Sequence, residues 1–201
     1  GKLEASLLFY HKMQQMSVMA TKVTYICMLS ACTSKKDLVS GMLMHARIVS
    51  CRFITDVVVT TSLVNMYGSC GHLDHAYRVF DNAEECDVIS WNAMIGGYIQ
   101  HGMCEEALKC FRQMQGDGIC PDALTYVCIL KSCAVIGALE IGEDIDIEAR
   151  KQRLLPKDVV LGASLVDMYA KCGALEKARK VFEQLPMRSV VSWTSLMAGY
   201  A

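Results

Sequence analysis

Apolar and polar positions along this chain fall into two kinds of stretch. Residues 57–73 and 88–104 run 17 positions each without Asp, Glu, Lys or Arg. The stretch after the second of these is different: Ala107, Leu108, Phe111 and Met114 lie on one helical face, with Glu105, Glu106, Lys109 and Arg112 opposite. Within 88–122 the spacing predicts a helix over about residues 90–100, with Ala93, Met94 and Tyr98 as its apolar stripe. His101-Gly102 breaks it, because glycine is the usual residue where a helix must turn. A second helix follows over about 105–115, closed by Gly116, Gly118 and Pro121. A helix uncharged all round packs on several sides, whereas one charged along a stripe faces water there. Stacked helical hairpins satisfy both, with first helices in an inner layer and second helices outside. The predicted fold is therefore all-α, a solenoid (superhelix) of stacked antiparallel helix-turn-helix repeats held by neighbour-to-neighbour burial.

The chain repeats itself. Shifted by 102, residues 57–99 match 159–201 at 18 of 43 positions, among them Met66-Tyr67 with Met168-Tyr169, Cys70-Gly71 with Cys172-Gly173, and Trp91 with Trp193. A shift of 101 lays Thr24-Tyr25 on Thr125-Tyr126, Cys32 on Cys133 and Gly41 on Gly142. The long period subdivides into a partial unit (1–21), 22–56, 57–87, 88–122, 123–158, 159–189 and a second partial unit (190–201). Residue 1 falls inside a second helix and residue 201 inside a first helix, and neither end carries a polar capping repeat. The expectation is a piece of a longer array.

Composition narrows the function classes. The chain has 201 residues, 53% of them hydrophobic and 20% charged, with a net charge of -1. That excludes a disordered or low-complexity chain. The charge-free stretches contain Ser, Gly, His and Asn and fall short of the roughly 20 apolar residues of a spanning helix, so no membrane segment is expected. Eleven cysteines stand at irregular spacing with no C-x-x-C pair. Cys27, Cys110, Cys128 and Cys133 lie among apolar residues and are expected to be buried free thiols in a reducing compartment. Cys70, His72 and His75 cluster, but the matching positions are Cys172, Ala174 and Lys177, which argues against a metal site; no cofactor is expected. No histidine is followed by x-Glu, and no catalytic triad or carboxylate pair stands in a motif, so no enzyme is expected in this segment. Trp91 and Trp193 read as core residues. Glu140, Glu143, Asp144, Asp146 and Glu148 place five acids in nine residues, read as a solvated outer helix or, alternatively, a protein contact.

Residues 88–122, "VISWNAMIGGYIQHGMCEEALKCFRQMQGDGICPD", resemble a pentatricopeptide repeat from end to end. The 31-residue unit 159–189 resembles the family's short variant; 22–56 and 123–158, with their "TYxCxLxxC" opening, resemble its long variant. The alternation resembles the PLS subclass of plant organellar proteins and covers the whole chain. The tetratricopeptide repeat, the nearest competitor, keeps a constant period of about 34 residues.

The resemblance implies that the chain reads single-stranded RNA, about one base per repeat, through the fifth and last residue of each unit, with the second residue packing on the base. Carried over, Thr61 with Asp87 favours guanine and Asn92 with Asp122 favours uracil, so units 57–122 would read 5′-GU-3′. Val58, Ile89 and Val191 are the base packers, and Thr194 opens a further readable unit. Ala163 with Ser189 has no base assigned. The long units, with Ile26 and Val127 at the fifth position, are spacers or docking sites for editing-complex proteins. The same polar residues also read as helix caps, a compatible role. The implied function is sequence-specific RNA binding in a mitochondrion or plastid (chloroplast) as a specificity factor for C-to-U editing. The alternatives are a protein-interaction scaffold in an organellar ribonucleoprotein, and RNA processing or stabilisation without editing.

Overall fold

The computed structural model describes residues 2–201, with side chains from Glu4 onward. The described residues form twelve α-helices, one short 3-10 helix at Phe53–Thr55 and no strand. They fall into two compact units that divide between His101 and Gly102.

The first unit holds α1 (Lys2–Gln15), α2 (Lys22–Lys35), α3 (Leu38–Ser50), α4 (Val57–Ser69), α5 (Leu73–Asp81) and α6 (Val88–Gln100). Here α2 packs on α4 and α4 on α6, while α3 lies against α2 and α4, and α5 against α4 and α6. The second unit holds α7 (Cys104–Gly116), α8 (Ala123–Ile136), α9 (Leu139–Lys151), α10 (Val159–Lys171), α11 (Leu175–Gln184) and α12 (Val190–Tyr200). Its arrangement repeats that of the first: α8 packs on α10 and α10 on α12, flanked by α9 and α11. The first helices thus form one continuous layer in each unit, where Leu63, Val64, Met66, Leu165, Val166 and Met168 are buried. The charge-striped helices cover that layer on one side; in α7 the buried residues include Ala107, Leu108, Phe111 and Met114.

Helix α6 begins at Val88, two residues earlier than expected, because Asp87 caps it and draws Val88 and Ile89 into the first turn. The chain reverses between first and second helices on residues of positive φ, such as Gly71 at 81° and Gly137 at 72°. Lys36 takes the place of Gly137 in the first unit, at φ 55°.

Two matched contacts hold each hairpin pair in register. Gly41 on α3 leaves room for the Met66 thioether of α4, and Gly142 on α9 does the same for Met168 of α10. The outer helices also carry polar ties. His45 Nδ1 lies 2.9 Å from the Tyr67 hydroxyl, against which His75 stacks at 5.4 Å. His75 and His72 meet edge to face. At the matching place in the second unit, Asp146 accepts from Arg150 Nε at 2.7 Å and from the Tyr169 hydroxyl at 3.0 Å.

The acidic run is therefore only partly solvated. Asp146 is buried, Glu143 pairs with Lys177, and Glu148 accepts from Lys151 and Gln152; Glu140 and Asp144 face water. Arg150, Lys151 and Lys177 pair with three of its five acids. Two other expectations need correction. Trp91 is 3% exposed but Trp193 is 50% exposed. Both meet a phenylalanine at 4.6 Å, Phe80 and Phe182 respectively. Cys27 is exposed, Cys128 half-buried, and Cys110 and Cys133 buried. Cys27 misses the core because the buried face of α2 runs through Tyr25, Met28, Leu29 and Cys32.

Candidate nucleic-acid interface

Each first helix from α4 to α12 opens in the same way. The closing residue of the preceding unit is its N-cap: Asp56 accepts from Val58 N and Val59 N, and Asp87 from Ser90 N at 2.8 Å. Asp122 accepts from Thr125 N at 2.8 Å, Asp158 from Val160 N and Leu161 N, and Ser189 Oγ from Ser192 N. Lys22 reaches Asp56 at 2.7 Å; that hydrogen bond, more than the cap, holds the Asp56 carboxyl below the usual carboxylate range. The cap reading and the base-selecting reading of Asp87 and Asp122 therefore fall on the same side chains.

The second residue of every first helix from α2 to α12 is a bare apolar side chain. Val23, Val58, Ile89, Leu124, Val160 and Val191 are all between 57% and 62% exposed. No burial requirement explains large aliphatic groups kept at one register position in six helices.

The fifth residues divide. In the first unit, Ile26 lines a pocket of about 350 Å³ between α2 and α4, with Ser30, Thr33, Ser34, Ser62 and Asn65. Asn92 lines a pocket of about 240 Å³ between α4 and α6, with Asn65, Gly68, Ser69, Gly96 and Gln100 among its other walls. Gly68 and Gly97 bring the two backbones together there, each Cβ position lying 3.5 Å from the other's Cα. Thr61 is covered: it is 7% exposed, with its hydroxyl 2.8 Å from Val57 O and 2.6 Å from Ser90 Oγ. Thr194 is exposed, and its hydroxyl donates back to the carbonyls of Val190 and Val191. Ala163 and Val127 are buried.

Ser90 is the residue that sequence reasoning passed over. It is 3% exposed and bonds to both Thr61 and Asp87. The signal was in the sequence: the third residue of each first helix is Thr24, Val59, Ser90, Thr125, Leu161 and Ser192. The hydroxyl is missing after each long unit, where the fifth residue is apolar.

Comparison with known proteins places these features in a family. The pattern described as PPR repeat family matches residues 86–135, and the PPR repeat pattern matches 58–88 and 164–190, together more than half of the chain. The chain belongs to the pentatricopeptide repeat family. A putative pentatricopeptide repeat-containing protein of Arabidopsis thaliana, named as mitochondrial, is 35% identical over 200 residues, covering 100% of this chain and 32% of that protein. Another from the same plant, named as chloroplastic, is 32% identical over 201 residues, covering 100% of this chain and 23% of that protein. This chain thus spans about a third or less of the curated relatives it matches. Among solved structures, the pentatricopeptide repeat protein PPR10 in complex with an 18-nt psaJ RNA element superposes with a TM-score of 0.76 at 18% identity. The match covers 98% of this chain and 30% of that one. The fold is the helical-repeat solenoid of this family.

Proposed function

We propose that this pentatricopeptide repeat segment binds single-stranded RNA in a base-selective way inside a mitochondrion or plastid. The observation that carries the reading is the apolar residue left bare at the second position of six successive first helices, beside an N-cap Thr, Asp or Ser. Exposed aliphatic groups next to hydrogen-bonding caps suit a base, which has an apolar face and a polar edge. PPR10 provides support from a protein of the same fold that holds RNA. Relatives named as mitochondrial and chloroplastic support the compartment.

Asn92 with Asp122 selects uracil and Thr61 with Asp87 selects guanine, giving 5′-GU-3′ along 57–122. Val58 and Ile89 pack on those bases, and Val191 with Thr194 begins another slot. Short RNAs that differ at one position test this. Asn92→Thr is expected to move the preference at its position from U towards G, measured by fluorescence anisotropy on the chain and on a longer version of the array. Unchanged binding in both sinks the code.

The finer role is that of a specificity factor for C-to-U editing, with the chemistry supplied elsewhere and the long units contacting editing-complex proteins. It rests on the 31-, 35- and 36-residue alternation. Loss of the full-length protein would then abolish conversion at discrete cytidines; transcripts that change only in abundance or splicing would favour RNA processing instead. The cover over Thr61 favours a different reading, a protein scaffold. RNA binding through phosphates weakens steeply as salt rises, whereas a scaffold has no such dependence to measure.

A further inference from the structure

The contact between Thr61, Ser90 and Asp87 joins the fifth and closing residues of one repeat through the third residue of the next. Three oxygens stand in a row: Thr61 Oγ1 is 2.6 Å from Ser90 Oγ, which is 2.9 Å from Asp87 Oδ1. Thr61 and Ser90 each have one proton to give. A carboxylate accepts only and is the stronger acceptor, so the Ser90 proton goes to Asp87. Two hydroxyl oxygens at 2.6 Å need a proton between them, and only the Thr61 proton remains. The row is therefore polarised, Thr61 to Ser90 to Asp87, and Val57 O shares the Thr61 proton at most in part.

We propose that Ser90 is a positioning residue for base selection by unit 57–87: it draws off the Thr61 proton and anchors Asp87, so the pair shows an incoming base lone pairs alone. This rests on the reading of Thr61 and Asp87 as a base-selecting pair. Asp87 is exposed, and its Oδ2 takes no hydrogen bond from the described residues. It is the larger face a base would meet, with Thr61 at its rim. An edge of acceptors selects an edge of donors. Guanine offers two adjacent donor groups there, N1–H and the N2 amino group. Adenine and cytosine each place an acceptor beside a single donor group, and uracil flanks one donor with two acceptors.

Units 22–56 and 159–189 fit the same logic. Unit 22–56 has Ile26, Asp56 and Val59, with no hydroxyl to relay. Unit 159–189 has Ala163 at the fifth place, and Ser192 gives its proton to the Ser189 backbone carbonyl. A polarised row therefore needs three residues from two repeats, of which the family resemblance supplies two.

The test is the G-to-A preference of the 201-residue chain for short RNAs that differ only at the base opposite unit 57–87. Ser90→Ala frees the Thr61 proton, and Ser90→Thr keeps the hydroxyl. The wild type is expected to prefer G by about tenfold. Ser90→Ala should reduce that to under about threefold, with unchanged preference at the neighbouring uracil position, and Ser90→Thr should restore it. Helix content by circular dichroism, unchanged in both variants, separates this from loss of fold. If the wild type prefers G and Ser90→Ala prefers it equally, the relay is overturned and the base-selecting pair stands. If the wild type has no G preference, the pair itself is overturned and the relay with it.

Discussion

Small residues in this chain are placed by what they must leave room for. At Gly142 an added Cβ would overlap the Met168 thioether, and Gly41 stands in the same relation to Met66. Gly142→Val is expected to destabilise the fold by about 1–3 kcal/mol through overpacking, read from urea denaturation. Gly96, on α6, has open space where a Cβ would go; Gly96→Ala is expected to stabilise by up to about 1 kcal/mol through helix propensity alone. His45 is pushed towards its neutral form by its surroundings. Burial, and then the charge of His75, keep its imidazole below the usual histidine range. Protonation therefore favours the unfolded chain, whose histidine titrates near about pH 6.5. Stability present above that pH is lost as pH falls from there towards the lower folded value. Thermal melts of wild type and His45→Gln between pH 7.5 and 5 should converge towards low pH; parallel curves would sink this account.

Helix ends and helix pairs obey matched rules in the two units, with informative exceptions. Lys36 occupies a left-handed position that Gly137 fills in the other long unit. Lys36→Gly removes a Cβ clash of about 1–2 kcal/mol and adds chain entropy to the unfolded state. A net gain of about 0.5–1 kcal/mol is expected, visible as a raised denaturation midpoint. The tie between α9 and α10 runs through a buried carboxylate. Asp146 accepts from Arg150 and Tyr169, and burial, with that carboxylate facing it, pushes the Tyr169 phenol well above its usual range. Asp146→Ala leaves a buried hydroxyl without its acceptor and is expected to cost about 1–3 kcal/mol, measured by the same denaturation.

Taken together, the cysteines report on the fold of the whole chain. All eleven are free; Cys27, Cys51 and Cys120 are exposed, and Cys32, Cys104, Cys110 and Cys133 are buried. Burial pushes the Cys32 thiol up to about 11, and those of Cys110 and Cys133 up to about 12. The thiolate is the reactive form, so access and ionisation act in the same direction. At pH 8 a maleimide should label the three exposed thiols within minutes and the four buried ones only as fast as the chain opens. Prompt labelling of Cys110 or Cys133 would mean that these hairpins are not packed as described.

The amino-acid sequence alone determined the period, the helical faces and the caps. These are short-range facts: an apolar stripe every three to four residues, a Gly at most chain reversals, an Asp before four of the first helices. The second-position residues Val58, Ile89 and Val191 were legible for the same reason, since they are fixed by their distance from a cap. Tertiary structure decided what depends on which hairpin lies against which. Thr61 meets Ser90 across 29 positions, and Asp146 meets Tyr169 across 23. Trp91 and Trp193 share a sequence context and a phenylalanine neighbour, yet one is buried and the other is half exposed. Burial and proton direction belong to neighbours brought together by stacking, and no local pattern encodes them.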